Sequence, residues 1–155
     1  MQILAVSGRA NEGKTTTIKH LISILLADAE RNNHSIVSQK YKDIDIVKVM
    51  DLNLIVAFGQ DGDYEGDILK NCTSASEVNA DIFIQTTRTK GRGVDNLFLF
   101  AKNTHDIIQI RTISSYFGLK SKFFTDEDTT AEINKIQTEN VWKLMLYILQ
   151  KDYKY

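Results

Sequence analysis

A chain of 155 residues, 43% of them apolar and 25% charged, is long enough to bury a core without disulfides and too short for a second catalytic domain. Its formal net charge of −1 creates no overall field that would attract nucleic acid or an anionic membrane. The single cysteine, Cys72, and the absence of a long apolar run predict a cytoplasmic protein that does not cross a membrane. We expect one domain over residues 1–155.

Hydrophobic periodicity in the first half of the chain predicts strands alternating with a helix. Residues 2–6 form an apolar run typical of a buried strand, and from Gly13 onward the apolar spacing changes to that of a helix with one buried face. A short strand is expected at 35–39. Two β-rich runs, 44–50 and 53–58, predict a hairpin whose second strand is central in the sheet.

The second half of the chain continues this alternation. The expected elements are a helix marked by Ile68, Leu69 and Cys72, a strand at 81–86, a helix marked by Val94, Leu97 and Ala101, a strand at 107–110, and a C-terminal helix opened by a Thr129–Glu132 capping box. The repeated β-α-β order predicts an α/β fold with a mainly parallel sheet and helices on both faces. Whether the 44–58 hairpin contributes one antiparallel edge strand is left open.

The predicted C-terminal helix carries two apolar stripes. The first consists of Ile133, Ile136, Val141, Leu144, Met145 and Ile148, and the second of Trp142, Leu146 and Leu149. A surface helix with one buried side needs only one such stripe. Deep burial is the favoured explanation, and contact with a second copy of the chain or with another protein is the alternative.

The segment between the first strand and the first helix matches the pattern G-x-x-x-x-G-K-[ST] at every required position. Its residues are Gly8, Arg9, Ala10, Asn11, Glu12, Gly13, Lys14 and Thr15, followed by Thr16. Glycines let main-chain amides approach an anion closely, and the unpaired N–H groups at the start of a helix point toward it. In this pattern the lysine reaches the β- and γ-phosphates and the threonine hydroxyl ligates Mg²⁺. The segment predicts a nucleotide-binding loop.

Through this motif and its position, the chain resembles the P-loop NTPases over residues 1 to about 30. The resemblance implies a three-layer α/β P-loop NTPase domain that binds ATP, or another nucleoside triphosphate, together with Mg²⁺. It also implies that residues 8–16 hold the nucleotide, that Lys14 acts in catalysis and that Thr15 binds the metal. Arg9 stands where partition and septum-site ATPases carry a lysine that reaches a partner subunit, although a solvated loop charge is the favoured interpretation.

An acidic stretch follows the second strand of the predicted hairpin, at the edge where parallel strands would end together. Asp61 and Asp63 are candidates for the acid that holds Mg²⁺ and acts in catalysis, and the sequence does not choose between them. Gln60 could orient a water molecule and Glu65 could act as a base. The alternative is a surface turn, because glycine and aspartate favour turns.

A basic stretch follows the strand at 81–86. Arg88 and Arg92, with Lys90 between them, could clamp a phosphoryl group or stabilise its charge during transfer. Cations at the start of a helix are disfavoured by the helix dipole, which mildly favours an anion nearby. A solvated charged loop is the equally weighted alternative.

These features predict Mg²⁺-dependent binding and hydrolysis of a nucleoside triphosphate, with ATP as the expected substrate. Two alternatives stay open: a small nucleotide or metabolite kinase, and a nucleotide-dependent switch that acts on a protein partner through the C-terminal helix. Besides the nucleotide, the partner left open is a second copy of the chain or another protein at the C-terminal helix, and the sequence carries no strong nucleic-acid signal.

Overall fold

The structure is a computed structural model that describes residues 1–8, 13–60, 62, 64–102, 106–111 and 127–155, without the side chains of 106, 108–111 and 127–130. Its strands are β1 (Gln2–Ser7), β2 (Ile36–Tyr41), β3 (Ile44–Val49), β4 (Leu54–Gly59), β5 (Ile82–Thr87) and β6 (Asp106–Arg111). Its α-helices are α1 (Lys14–Arg31), α2 (Glu65–Glu77), α3 (Arg92–Ala101) and α4 (Glu127–Tyr153), and a 3₁₀ turn covers Met50–Leu52.

The six strands form a single mixed sheet in the order β2-β3-β4-β5-β1-β6. Strands β4, β5, β1 and β6 run parallel to one another. Strand β3 runs antiparallel to both of its neighbours, β2 and β4. The hairpin predicted at 44–58 is therefore confirmed, and it occupies part of a larger antiparallel meander.

The expectation of a mainly parallel, three-layer P-loop NTPase domain with at most one antiparallel edge strand is wrong. Strands β2 and β3 both belong to the antiparallel part, so the fold is a mixed α/β sheet. The reason is local: only Lys42 and Asp43 connect Tyr41 to Ile44, and Lys42 has a φ of 51°. A parallel partner would need a crossover of a dozen residues or more, whereas a two-residue turn permits only a hairpin.

Each face of the sheet is covered by a separate hydrophobic cluster. On one face, Leu21 and Leu25 of α1 and Met145 of α4 pack together with alternate residues of the strands. On the other face, Ile68 of α2 and Leu97 of α3 pack against the intervening strand residues. Because side chains alternate across a strand, β1 supplies both clusters and is buried throughout its central part.

Helix α4 differs from its prediction in two details. It begins at Glu127, so Thr129 and Glu132 lie inside the helix and do not cap its start. Ile136, expected in the core, is 43% exposed. The favoured explanation for the second stripe, deep burial, is confirmed for Leu149, whereas Trp142 is half-buried against the same cluster as α1.

No helix in the described part of the chain is both long enough and apolar enough to span a lipid bilayer.

Candidate phosphate-binding site

The carboxyl ends of the parallel strands and the starts of three helices share one edge of the sheet. Strand β1 leads into Gly8, β4 into Gln60 and β5 into Arg88. Helices α1, α2 and α3 each begin after one of these strand ends. Ligands of open α/β sheets bind at such an edge, because loops from separate strands converge there.

The start of α1 has the backbone geometry that a close anion contact needs. Gly13 precedes the helix with φ 73° and ψ 11°, a left-handed conformation that favours glycine, and no side chain of the described residues makes a capping hydrogen bond at this point. At the other end of the loop, the N–H of Gly8 donates to the carbonyl of Thr87 at 3.1 Å, which ties the loop to β5. Arg9, Ala10, Asn11 and Glu12 lie outside the described residues.

The charges near the first turns distinguish α1 from α2. The first turn of α1 has no acidic residue, and its first residue, Lys14, is only 7% exposed. The first turn of α2 contains Glu65 and Asp67, whose carboxylates offset the positive end of that helix dipole. Among these two helix starts, α1 is the one suited to a phosphate, because a buried cation and the dipole act there together.

Three parts of the chain meet at the carbonyl oxygen of Gln60. The hydroxyl of Thr86, at the end of β5, donates to this oxygen at 2.6 Å. The hydroxyl of Thr15, the last residue of the motif, lies 3.5 Å from the same oxygen, at the outer limit of a hydrogen bond. The motif threonine is thus held beside the end of β4, although strand β5 lies between β4 and β1.

The chain after Gln60 runs close to β5. Gly62 is buried, and a Cβ placed on it would collide with the main-chain carbonyl of Thr86 and lie 2.6 Å from its Oγ1. Only glycine fits at this position without a shift of the backbone. Asp61 and Asp63 themselves lie outside the described residues.

Two further predicted residues of the acidic stretch have partners that the sequence did not suggest. The side-chain amide of Gln60 donates to Asp45 on β3. Glu65 lies 3.8 Å from a guanidinium nitrogen of Arg92, and both side chains are largely exposed, at 48% and 86%. The pairing of Arg92 with Glu65 gives this cation a structural partner at the start of α3, while its position keeps it at the same edge as α1.

The remaining predicted positions lie at or near this edge. Thr16 is half-buried in the first turn of α1, and Arg88 and Lys90 are exposed between β5 and α3. Within the described part of the chain, no three His, Cys, Asp or Glu side chains cluster closely enough to hold a metal ion.

Sequence reasoning missed three polar residues that the fold brings to this region. Thr86 holds the carbonyl of Gln60, and Thr87 is buried with a hydroxyl that has no hydrogen-bond partner among the described residues. Asn134 of α4 lies against Gly13. Two threonines at the end of an apolar strand were a usable signal for the first two, but no local pattern could place Asn134.

Comparison of the chain with protein-family models, with curated proteins and with solved structures finds no match. The resemblance to P-loop NTPases therefore rests on the motif and its surroundings.

The close approach of Gly62 to Thr86 gives a prediction with a matched control. We expect Gly62→Ala to lower the free energy of unfolding by about 1–3 kcal/mol, because the added methyl group forces the backbone away from β5. Gly66 in α2 has no atom within 4 Å of the corresponding position, so Gly66→Ala is expected to leave stability unchanged or raise it. Urea unfolding of both variants measures the difference, and equal stability would contradict the packing described here.

Proposed function

We propose that this chain binds a nucleoside triphosphate, with ATP as the expected substrate, and hydrolyses it with the help of Mg²⁺. One observation carries the proposal: the hydroxyl of Thr15 lies at the end of β4, 3.5 Å from the carbonyl of Gln60, which directly precedes Asp61. The motif threonine and the acidic stretch are far apart in sequence. Their meeting at one edge is what a Mg²⁺–triphosphate site needs.

The phosphates would be bound by groups at the start of α1. The N–H groups of the loop and of the first helical turn are donors for phosphate oxygens, and Lys14 supplies a positive charge. Lys14 is only 7% exposed, and attraction between a cation and a phosphate is stronger away from bulk solvent. Donors held in place before charge develops in the transition state would accelerate phosphoryl transfer at this site.

The metal would lie between Thr15 and the acidic stretch. Bound Mg²⁺ neutralises charge on the β- and γ-phosphates and prefers oxygen ligands. Of the two candidate acids we favour Asp61, because both of its chain neighbours are held at Thr86 and one of them lies beside Thr15. Asp63 is the second candidate.

The basic residues of the β5–α3 connection would act on the transferred phosphoryl group. Arg88 and Arg92 follow β5, the strand whose Thr86 donates to the carbonyl of Gln60. Both arginines therefore lie at the edge of the sheet where α1 begins. Their proposed role is to stabilise charge on the γ-phosphate. For Arg92 this role competes with the exposed ion pair to Glu65, whose attraction is screened by solvent.

That the protein lies in the cytoplasm remains a prediction, which rests on the sequence having a single cysteine. Cys72 is buried in α2, and this burial raises the pKa of its thiol to about 12, which keeps the thiol neutral and unreactive.

The first prediction of the proposal concerns Lys14. We expect Lys14→Ala to weaken binding of a triphosphate at least about tenfold, because a hydrogen bond to a charged group contributes about 1.5–3 kcal/mol. Lys19, which is exposed on the same helix, provides the control, and Lys19→Ala should bind like the parent chain. Calorimetric titration with a non-hydrolysable ATP analogue and Mg²⁺ measures both affinities. Equal affinities for the two variants would remove Lys14 from the site.

The second prediction separates the two acids. Asp61→Asn should lower Mg²⁺-dependent turnover roughly 10- to 100-fold, the effect typical of a group that holds a metal ion through water. Asp63→Asn should have a smaller effect, and Asp67→Asn in the first turn of α2 is the control for the loss of a nearby charge. Turnover measured over a range of Mg²⁺ concentrations distinguishes them. A larger effect at Asp63 would reverse the assignment.

The third prediction distinguishes hydrolysis from transfer to an acceptor. If the chain is a hydrolase, ADP and inorganic phosphate should appear in equal amounts without any acceptor, and a panel of nucleotides and small metabolites should not increase ADP formation. ADP formation that depends on one member of the panel would show a kinase. Turnover that rises with protein concentration would instead favour the switch.

A further inference from the structure

The carboxamide of Asn134, on helix α4, is packed directly against the end of the phosphate loop. A Cβ placed on Gly13 would lie 2.7 Å from Cγ and 3.1 Å from Nδ2 of Asn134, and it would collide with Oδ1. The missing side chain of Gly13 is therefore what allows the amide to reach the loop backbone. Glycine at position 13 thus permits both the φ of 73° and the close contact with the Asn134 amide.

The contact between α1 and α4 is polar beside the loop and apolar farther away. On α4, the buried residues Gln137 and Thr138 follow Asn134, and only from Val141 onward is the buried face apolar. On α1, the buried Lys14 and Thr17 precede Ile18, Leu21 and Leu25 in the same way. On both helices, the buried face is polar near Gly13 and becomes apolar farther along the helix.

Packing alone does not account for this polar strip. Burying a hydroxyl or an amide costs free energy unless it gains a hydrogen bond, so an interface needed only for stability would be apolar along its whole length. The Thr138 hydroxyl donates to the carbonyl of Asn134 at 2.7 Å, which satisfies it inside the helix. The Thr17 hydroxyl, one turn after Gly13, is fully buried and has no partner among the described residues. The strip thus keeps hydrogen-bonding capacity beside the loop.

We propose that Asn134 is a positioning residue of the nucleotide site: its carboxamide holds Gly13, and with it the first turn of α1, in the conformation that binds phosphate. This inference rests on the function proposed above. It makes α4 part of the nucleotide site through a contact made far from the motif in sequence. Since Gly13 and Asn134 are in contact, a triphosphate that orders the loop would also order α4 around Asn134.

Trp142 supplies a built-in reporter of this coupling. It is the only tryptophan of the chain, and it lies two helical turns beyond Asn134, packed against the cluster that α1 and α4 share. Its fluorescence should therefore change when a triphosphate binds and the contact between Asn134 and Gly13 tightens. In Asn134→Ala the change should be lost or strongly reduced even at saturating nucleotide.

Kinetics separate positioning from stability. Asn134→Ala should lower kcat/KM for ATP hydrolysis about tenfold or more, since a misplacement of about 1 Å can cost roughly 100-fold in rate, while the midpoint of thermal unfolding changes little. Asn134→Asp keeps the shape of the side chain but adds a negative charge, so it should bind triphosphate more weakly than Asn134→Ala, by a margin that shrinks at high salt. The exposed Glu139, on the same helix, provides the control variant Glu139→Ala, which should match the parent chain.

The decisive experiment measures triphosphate binding by calorimetry, Trp142 fluorescence and kcat/KM for ATP hydrolysis on the same preparations of parent chain, Asn134→Ala, Asn134→Asp and Glu139→Ala. Absence of binding in the parent chain would overturn the proposed function itself. Binding with no fluorescence change in the parent chain, or with Asn134→Ala equal to the parent in kcat/KM, would overturn only the role of Asn134. A fluorescence change that depends on Asn134, with weaker binding by Asn134→Asp, supports that role.

Discussion

The carbonyl oxygen of Gln60 is the point on which the geometry of the candidate site depends. It accepts a hydrogen bond from Thr86 and lies 3.5 Å from the hydroxyl of Thr15, so it connects the ends of β4 and β5 to the start of α1. Parallel alignment makes this meeting unavoidable, because β4, β5 and β1 all end at the same edge. Without that alignment the motif and the acidic stretch would lie at opposite ends of the sheet.

Helices α1, α2 and α3 all begin at this edge, but the charged residues at their starts differ. Helix α2 has acids in its first turn, and α3 begins with Arg92, which pairs with Glu65 of α2. The first turn of α1 contains no acid, no side chain of the described residues makes a capping hydrogen bond there, and Lys14 is buried. Of these three first turns, only that of α1 contains no acidic residue, so its helix dipole is the least offset by a nearby carboxylate of its own first turn.

The C-terminal helix α4 has two different contact regions along α1. Helix α4 packs along α1 through an apolar core around Met145 and through a polar strip that begins at Asn134. The apolar part stabilises the domain, and the polar part lies against the loop. The buried face of this helix thus changes from polar to apolar along its length.

The sequence by itself determined the local elements and the motif. The apolar run at 2–6, the helical spacing after Gly13 and the hairpin at 44–58 were all readable, since periodicity and turn length act over a few neighbouring residues. The two-residue link at Lys42–Asp43 was also a readable sign of an antiparallel pair. The expectation of a mainly parallel sheet was wrong because it did not include this pair.

Only the tertiary structure decided which distant residues meet. It placed Thr86 on the carbonyl of Gln60 and brought Asn134 against Gly13. Contacts of this kind depend on strand order and on the packing of helices over the sheet, and these are settled by burial of the whole core rather than by any short stretch of sequence. Nothing in the residues around Asn134 distinguishes it from an ordinary polar position on a helix.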